Sequence, residues 1–599
     1  MAKMPRKAQT VVGVAAAVAV ATLFLAPATR SAAEETAPFA EIVVNLEDDI
    51  TPEALAELSA RYGLALVPNS AFSDREKLMR MPAVVDVEDL TGYLDMLTAD
   101  PRIEYAEPNY LFSADFVPDD PMYGQQWHLK MIDLEKAWDY DRGDGVVVAV
   151  IDTGVAYEKH DRQGNVFSQV PDLSATRFVP GYDFVHDDPH PVDDNGHGTH
   201  VAGTIAQSTN NGVGTAGIAF GARIMPIKVL SAQGFGNIAD IAEGITWAAD
   251  HGAQVINMSL GGAMPALTLA KACAYAKKKG VTLACAAGNS ATSRPHFPAG
   301  FDSCIAVAAV GPTGKLAPYS NYGNWISVAA PGGDKSAREE DGVLQNTIER
   351  MNPAKNGYFW FQGTSMASPH VAGAAALIIS RGVTAPDDVE RVLKQSASPE
   401  SGAQKNMGAG IINVGRAVTI AGKTHFERGM YKGMLAVGLV LMLVRAARRR
   451  SERVEGLRSG VFWSTLLVVG SGLFFLSLLP TGWWPGWLSA LARSSAVDWL
   501  GALTAATQAD PFLHSALLPL LAVSLLLSVQ RLRPMLLAFV LGYAAHLLGD
   551  AFATCYSPVS LIPGDFWLDK AWLAINGVVA FVLALLMSRR GGTASWRMW

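Results

Sequence analysis

The stretch Gly363-Thr364-Ser365-Met366-Ala367-Ser368-Pro369-His370-Val371-Ala372-Gly373, running on to Ser380, constrains this chain most. It reads as a helix with apolar or small residues on every side, and a helix without a polar face has to be buried all round. Only a layered domain with other elements packed about a central helix provides such a place. The helix opens out of a loop at Ser365, and its first turn presents unpaired N–H groups and the positive end of a dipole. Ser365 is therefore a candidate nucleophile, with an N-cap on a core helix as the alternative. Pro369 lies near the start, where a helix tolerates proline.

Val146-Val147-Val148-Ala149-Val150-Ile151 reads as a buried parallel strand ending in Asp152-Thr153-Gly154. That places a carboxylate at the C-terminal edge of a sheet, where open α/β folds bind ligands. Asn195-Gly196-His197-Gly198-Thr199-His200-Val201-Ala202-Gly203 starts a second helix whose glycines allow close approach to the His197 imidazole. Taken singly, Asp152 is a turn former and His197 a cap. As a set in the order Asp, His, Ser, with Asn289 in Ala286-Ala287-Gly288-Asn289-Ser290, they resemble the subtilisin-like serine proteases. The resemblance runs over residues 38–420. It implies an α/β fold with a doubly wound parallel sheet and a catalytic set of Asp152, His197 and Ser365. Asn289 and the Ser365 N–H would serve as oxyanion donors. The resemblance assigns His200 no chemistry, so it reads as structural.

At 599 residues the chain is too long for one core, and the mixed, Gly-rich sequence up to residue 420 gives way to mostly apolar sequence beyond it. Residues 1–33 carry Lys3, Arg6 and Lys7, an apolar run from Val11 to Ala26 and small residues at Ser31 and Ala33, the pattern of a signal peptide. Residues 38–115 alternate strand-like pieces (40–44) with helical ones (52–63, 87–98), a small α/β unit. Its end, 103–110, resembles that of the family's inhibitory prosegment, which implies self-cleavage between Leu111 and Asp120. Cys273, Cys285, Cys304 and Cys555 are too few for a disulfide framework. Buried thiols and a single bridge both stay open. The net charge of −7 and the placement of basic residues in loops give no reason to expect nucleic acid.

The peptidase domain, 116–420, shows strands at 146–151, 224–230, 254–258, 281–287 and 305–310 with helices between. The family resemblance implies substrate binding as an added strand between Gly234-Phe235-Gly236 and Ser259-Leu260-Gly261. It also puts His296 on the floor of the pocket for the residue before the scissile bond. Broad acceptance and a preference for polar or acidic residues are both open there. A structural calcium ion is implied through Thr209, Asn211, Val213 and Thr215 of the loop 209–215 with Asp120 and Asp172. Residues 157–170 look like an insertion without legible chemistry.

The remainder, 430–588, reads as an all-α membrane domain of about five helices, with spans near 430–444, 461–479, 512–529, 535–552 and 571–588. Arginines cluster at 445–458, 531–533 and 589–597, against Arg493, Lys570, Lys423, Arg428 and Lys432 on the other side, which obeys the positive-inside rule for an exported N-terminus. The peptidase would then face the periplasm or the outside, in contact with the lipid bilayer. Lys432 and Arg445 would have to snorkel, and Trp483, Trp484 and Trp487 read as an interfacial belt. His514, His546 and Asp550 fall toward the outer ends of neighbouring spans, and His546 and Asp550 share one helix face. The segments 510–515 and 542–550 resemble bacterial inner-membrane metal-dependent hydrolases, which implies a divalent metal held by these three, with hydrogen bonding between the helices as the alternative that needs no metal. The sequence thus points to a membrane-tethered serine endopeptidase acting on proteins or peptides. Its rivals are a bifunctional protein with a hydrolase in the membrane half, and a catalytically silent binding module.

Overall fold

Alternating side chains of the apolar strands separate two hydrophobic layers. The computed structural model describes residues 41–47, 50–62, 66–70, 73, 78–82, 90–108, 116–399, 406–450, 454, 457, 459–473, 476, 478–479, 484, 514–527, 529, 532–552 and 566–588. The expected signal peptide, residues 109–115 of the cleavage region, Trp483, Trp487 and Cys555 lie outside these. The chain divides into two compact units, Val14–Asp115 and a larger one that continues from Phe116.

The smaller unit contains β1 (Glu41–Leu46), α1 (Pro52–Tyr62), β2 (Val67–Pro68), β3 (Leu78–Pro82), α2 (Leu90–Thr98) and β4 (Ile103–Pro108). Its four strands form an antiparallel sheet in the order β2-β3-β1-β4. Ile42, Val44 and Leu46 alternate along β1 onto one face, and pack with Leu58 of α1, Leu97 of α2 and Ile103. This is the small α/β unit the sequence predicts.

In the larger unit, α3 (Trp127–Met131) and α4 (Leu134–Tyr140) precede β5 (Val147–Asp152), then the hairpin β6 (His160–Arg162) and β7 (Asn165–Phe167), and the short β8 (Arg177–Phe178) and β9 (Tyr182–Asp183). Next come α5 (His197–Ala206), β10 (Arg223–Lys228), α6 (Ile238–Asp250), β11 (Val255–Met258), α7 (Leu267–Lys278), β12 (Thr282–Ala286), β13 (Ile305–Val310) and β14 (Val328–Pro331). The hairpin β15 (Val343–Glu349) and β16 (Asn352–Phe361), α8 (Thr364–Ser380) and α9 (Pro386–Ser396) complete the domain. The main sheet is parallel, in the order β14-β13-β12-β11-β5-β10-β8, with β9 also beside β10. Val148 and Val150 of β5 face the layer that holds α5, α8 and α9. Ala149 and Ile151 face the layer that holds α6 and α7. Helices on both faces make it doubly wound, as expected.

Three details depart from the sequence reading. β14 adds a strand, because Val328-Ala329-Ala330-Pro331 is too short and Ala-rich to announce itself. The insertion at 157–170 is the hairpin β6–β7, tied to β16 where the Ser168 N–H donates to Pro353 O at 3.2 Å. The third concerns the junction with the apolar half. The peptidase domain, expected to end at 420, and the first span, expected near 430–444, share one 36-residue helix, α10 (Val414–Arg449), which begins after Asn413, whose side chain accepts from Arg416 N. No proline interrupts it. Ala417, Val418 and Ala421 sit in the peptidase core, and Ala436, Leu439, Val440 and Leu443 in the apolar bundle.

That bundle also contains α11 (Gly460–Ser471), α12 (Leu517–Leu526), α13 (Arg533–Phe552) and α14 (Phe566–Met587). Among the described residues three helices are long and apolar enough to cross a membrane: Val414–Arg449, Arg533–Phe552 and Trp567–Met587. α11 and α12 have 12 and 10 residues, shorter than the spans expected near 461–479 and 512–529.

Candidate active site

The C-terminal edge of the sheet collects the residues singled out in the sequence. β5 ends on Asp152, which is completely buried. α5 begins at His197 after Gly196, whose φ of 99° lies in the left-handed region that glycine adopts without strain. α5 packs on α8, which carries Ser365. His197 Nδ1–H donates to Asp152 Oδ1 at 2.7 Å, leaving Nε2 as the lone-pair nitrogen. Asp152 Oδ1 also accepts the Thr153 N–H at 2.8 Å. Burial pulls the His197 pKa down, but the Asp152 charge and hydrogen bond, with the charge of Asp193 behind them, outweigh it and hold it above the ordinary histidine value.

Ser365 is the second residue of α8, and the N-cap position belongs to Gly363, so the capping alternative does not hold. The role of Pro369 is more specific than tolerance of a helix start. A proline has no N–H for the carbonyl four residues back, and the Ser365 carbonyl instead accepts Ser259 Oγ–H at 2.7 Å. In return Ser365 Oγ–H donates to the Ser259 carbonyl at 3.1 Å. Among the described residues no hydrogen bond joins Ser365 to His197.

Asn289 is exposed, and its amide is held in one orientation. Its Oδ1 accepts Thr364 N–H at 2.8 Å and Thr364 Oγ1–H at 2.9 Å, so Nδ2 turns outward and donates to no described residue. The Ser365 N–H is likewise unused in the first turn of α8. Both donors border a cavity of ≈ 160 Å³ whose lining includes Leu260, Gly261, Gly288, Asn289, His296 and Ser365. Phe235, on the other expected substrate edge, is 79% exposed. Ser231 and Phe235 close the turn that presents it through a 2.9 Å backbone bond. A buried carboxylate, an imidazole, a half-buried hydroxyl and two outward N–H donors suit attack on a carbonyl with stabilisation of the resulting oxyanion.

Several supporting residues escaped the sequence reading. Asp193, fully buried, accepts Thr153 Oγ1–H at 2.9 Å, Thr199 Oγ1–H at 2.6 Å and the N–H groups of Asn195, Gly196 and Thr199. It thereby ties the end of β5 to the start of α5. Lys228 is fully buried, and its ammonium donates to Thr153 O and Asp194 Oδ1 at 2.7 Å and to Leu230 O at 2.8 Å. An acidic pair and a strand-end lysine look solvated in a sequence; only their enclosure shows otherwise. His200 is structural as expected: it donates Nε2–H to Val343 O at 3.0 Å and stacks on Phe361 at 4.3 Å. Cys273, Cys285 and Cys304 are buried free thiols, which settles them against a bridge.

The expected cation loop also comes together. Asp120 and Asp172 are buried, and neither meets a basic side chain among the described residues. Asp120 accepts the N–H groups of Asn210 and Asn211 at 2.9 and 3.2 Å, and Asp172 accepts Thr215 N–H at 2.9 Å and Asn211 Nδ2–H at 3.2 Å. Burial raises both pKa values, that of Asp172 to about 6. The carbonyls of Thr209, Val213 and Thr215 accept no hydrogen bond from any described residue. Two uncompensated carboxylates beside spare carbonyls fit a hard cation.

His514, His546 and Asp550 do meet, and in an arrangement that suits the hydrogen-bonded alternative. The rings of His514 and His546 are 6.4 Å apart, and His546 Nε2 lies 3.2 Å from Asp550 Oδ2. The Lys432 ammonium stands 2.6 Å from Asp550 Oδ1 and 3.4 Å from His546 Nδ1, supplying the positive charge that a metal was expected to bring. Among the described residues no group of three His, Cys, Asp or Glu could hold a metal ion. Lys432 therefore pairs inside the bundle and does not snorkel.

Residues 143–410 match the Subtilase family, and residues 457–594 match a domain of unknown function. Over 381 residues the chain is 39% identical to the thermophilic serine proteinase of Bacillus sp. (strain AK1), covering 63% of this chain and 87% of that one. Thermitase of Thermoactinomyces vulgaris is 38% identical over 304 residues, 51% of this chain and 99% of its own length. An extracellular protease of Xanthomonas campestris pv. campestris is 35% identical over 417 residues, 61% of this chain and 68% of its own length.

Proposed function

Because this chain belongs to the subtilase family and is a subtilisin-like serine endopeptidase, we propose that Asp152, His197 and Ser365 are its catalytic triad in a membrane-tethered, self-processing enzyme. The observation that carries the reading is the 2.7 Å contact of His197 Nδ1 with buried Asp152, on the same sheet edge as Ser365 and the outward amide of Asn289. The Ser365 hydroxyl leaves the Ser259 carbonyl by a side-chain rotation, gives its proton to His197 Nε2 and attacks the peptide carbonyl. Asp152 keeps the imidazole in the required tautomer and stabilises the imidazolium. Asn289 Nδ2 and the Ser365 N–H receive the oxyanion. His197 then protonates the leaving amine, and water resolves the acyl-enzyme. The substrate lies as a strand between Gly234-Phe235-Gly236 and Ser259-Leu260-Gly261, held through its backbone.

The unit of residues 41–108 acts as the prosegment, a reading supported by its position before the peptidase domain and its independent core. Asp120, Asp172, Asn211 and the carbonyls of Thr209, Val213 and Thr215 would hold a calcium ion, which would neutralise the carboxylates and brace the loop. α10 tethers the enzyme: it starts in the peptidase core and ends among apolar helices of spanning length. The peptidase faces the exported side of the membrane, a reading supported by the arginine asymmetry.

The test is to express the full chain in membranes as wild type and as Ser365→Ala. Wild type loses the prosegment by cleavage between Leu111 and Asp120, and Ser365→Ala retains it. Maturation of purified Ser365→Ala at the same bond and rate would refute self-processing.

A further inference from the structure

His296 lines the cavity next to Ser365 and Asn289 and takes no part in the chemistry just described. It is half-buried, and its ring stands close against Gly288, where an added Cβ would lie 2.5 Å from Nδ1. Only a glycine leaves room for the imidazole at this wall. The loop that carries it is anchored to the substrate edge: Gly262 and Phe297 exchange backbone hydrogen bonds of 2.9 and 2.8 Å. The main chain of His296 is engaged too, its carbonyl accepting Gly300 N–H at 2.7 Å.

The ring itself is not engaged. Neither imidazole nitrogen of His296 has a hydrogen-bond partner among the described residues, although every other polar side chain bordering this cavity has one. Asn289 is bound to Thr364, Thr364 to Asn289 and Gly288, and Ser365 to Ser259. A polar ring held in place with unused nitrogens, in a cavity of ≈ 160 Å³ beside a nucleophile, is placed to read what enters.

The chemistry of that ligand follows from the wall. No Asp or Glu lines the cavity, so a Lys or Arg side chain would be desolvated without a counter-charge. The ring takes up volume that a large apolar side chain would need, and burying it under such a side chain leaves its nitrogens unsatisfied. The segment 290–301 contains Arg294 and no acidic residue, which keeps the local field from repelling an anion. We propose that His296 is a specificity-determining residue that selects substrates whose residue before the scissile bond ends in a carboxylate or amide oxygen, Glu and Gln foremost. This rests on the reading of the site as a peptidase and adds the class of substrate.

The experiment uses the mature full chain in detergent with internally quenched peptides that differ only at that residue: Glu, Gln, Leu, Phe or Lys. Wild type is expected to cleave the Glu and Gln peptides with kcat/KM about tenfold or more above Phe and Lys, as one hydrogen bond from the imidazole to a carboxylate or amide oxygen gives. In His296→Gly, with the wall removed, the Phe-to-Glu ratio rises by at least about tenfold relative to wild type. His296→Asn, smaller but still able to hydrogen-bond, keeps Gln above Phe and guards against a folding defect in the glycine variant. The same ranking in wild type and His296→Gly, or Phe or Leu as the best residue in wild type, overturns the proposal and leaves the peptidase intact. Cleavage of none of the peptides by wild type, at the level of Ser365→Ala, overturns the peptidase reading and this proposal together.

Discussion

Unfolding this protein at pH 5 should charge three histidines that the core beneath the nucleophile helix holds neutral. His128, His200 and His370 are completely buried. His370 Nδ1–H donates to Met366 O at 2.8 Å, so its Nε2 is an acceptor, and it receives His128 Nδ1–H at 2.8 Å. Charging His370 would set two N–H groups against each other. Burial lowers all three pKa values: His200 to about 3, His370 to about 4, and His128, with the neighbouring rings adding, well below the usual value. A histidine whose folded pKa is depressed contributes stability that is complete above the unfolded value of about 6.5 and is lost as pH falls below it. At pH 5 each unfolded ring binds about one proton that the folded ring does not, about three in all. Asp172 works in the opposite sense. Its folded pKa, raised by burial to about 6, means it releases about one proton on unfolding at pH 5. Asp120 and Asp193, also raised by burial, act in the same sense as Asp172, so net uptake is at most about two protons, equivalent to at most about 2.7 kcal/mol of stability lost per pH unit. The assay is pH-stat titration of Ser365→Ala, which cannot digest itself, unfolded by urea in calcium-free detergent. The double variant His128→Asn/His370→Asn should take up about two protons fewer. Equal uptake by parent and double variant would show that these rings are charged or accessible in the fold and would refute the reasoning.

Two further outcomes are expected. Calcium should raise the Tm of the full chain and chelator should lower it, and Asp172→Asn should abolish the response, as differential scanning fluorimetry can show; a calcium-independent Tm in the parent removes the ion from loop 209–215. Lys432→Met should destabilise the helical bundle by about 3 kcal/mol, the low end for a broken buried pair because Lys432 and Asp550 are 20% and 17% exposed. Lys432→Met/Asp550→Leu should recover most of that in detergent unfolding, and a double variant no better than the single would mean the pair is not the partner that matters.

Much of the peptidase was legible in the chain itself, for a local reason. A buried parallel strand must be apolar on both faces, so Val147–Asp152 announces itself, and the carboxylate at its end falls on the sheet edge by rule. A helix without a polar stripe, Thr364–Ser380, must be central, and Ser365 at its start inherits that position. Asp152 and Ser365 could therefore be placed before any distance was known, and the resemblance to the subtilisin-like proteases joined them with His197 and Asn289 into one set. Tertiary structure alone decided what depends on enclosure and pairing across distant segments. Lys228 and Asp193 look solvated until the strands close over them. Ser259 is unremarkable until Pro369, lacking an N–H, leaves the Ser365 carbonyl to it. Asp550, placed by its sequence among metal ligands, instead finds Lys432 at 2.6 Å, 118 positions earlier on a helix that no motif marks as its neighbour. Periodicity along a chain determines which face a side chain takes, because backbone geometry repeats; the identity of the opposing charge depends on which other segment packs there, and nothing local encodes it.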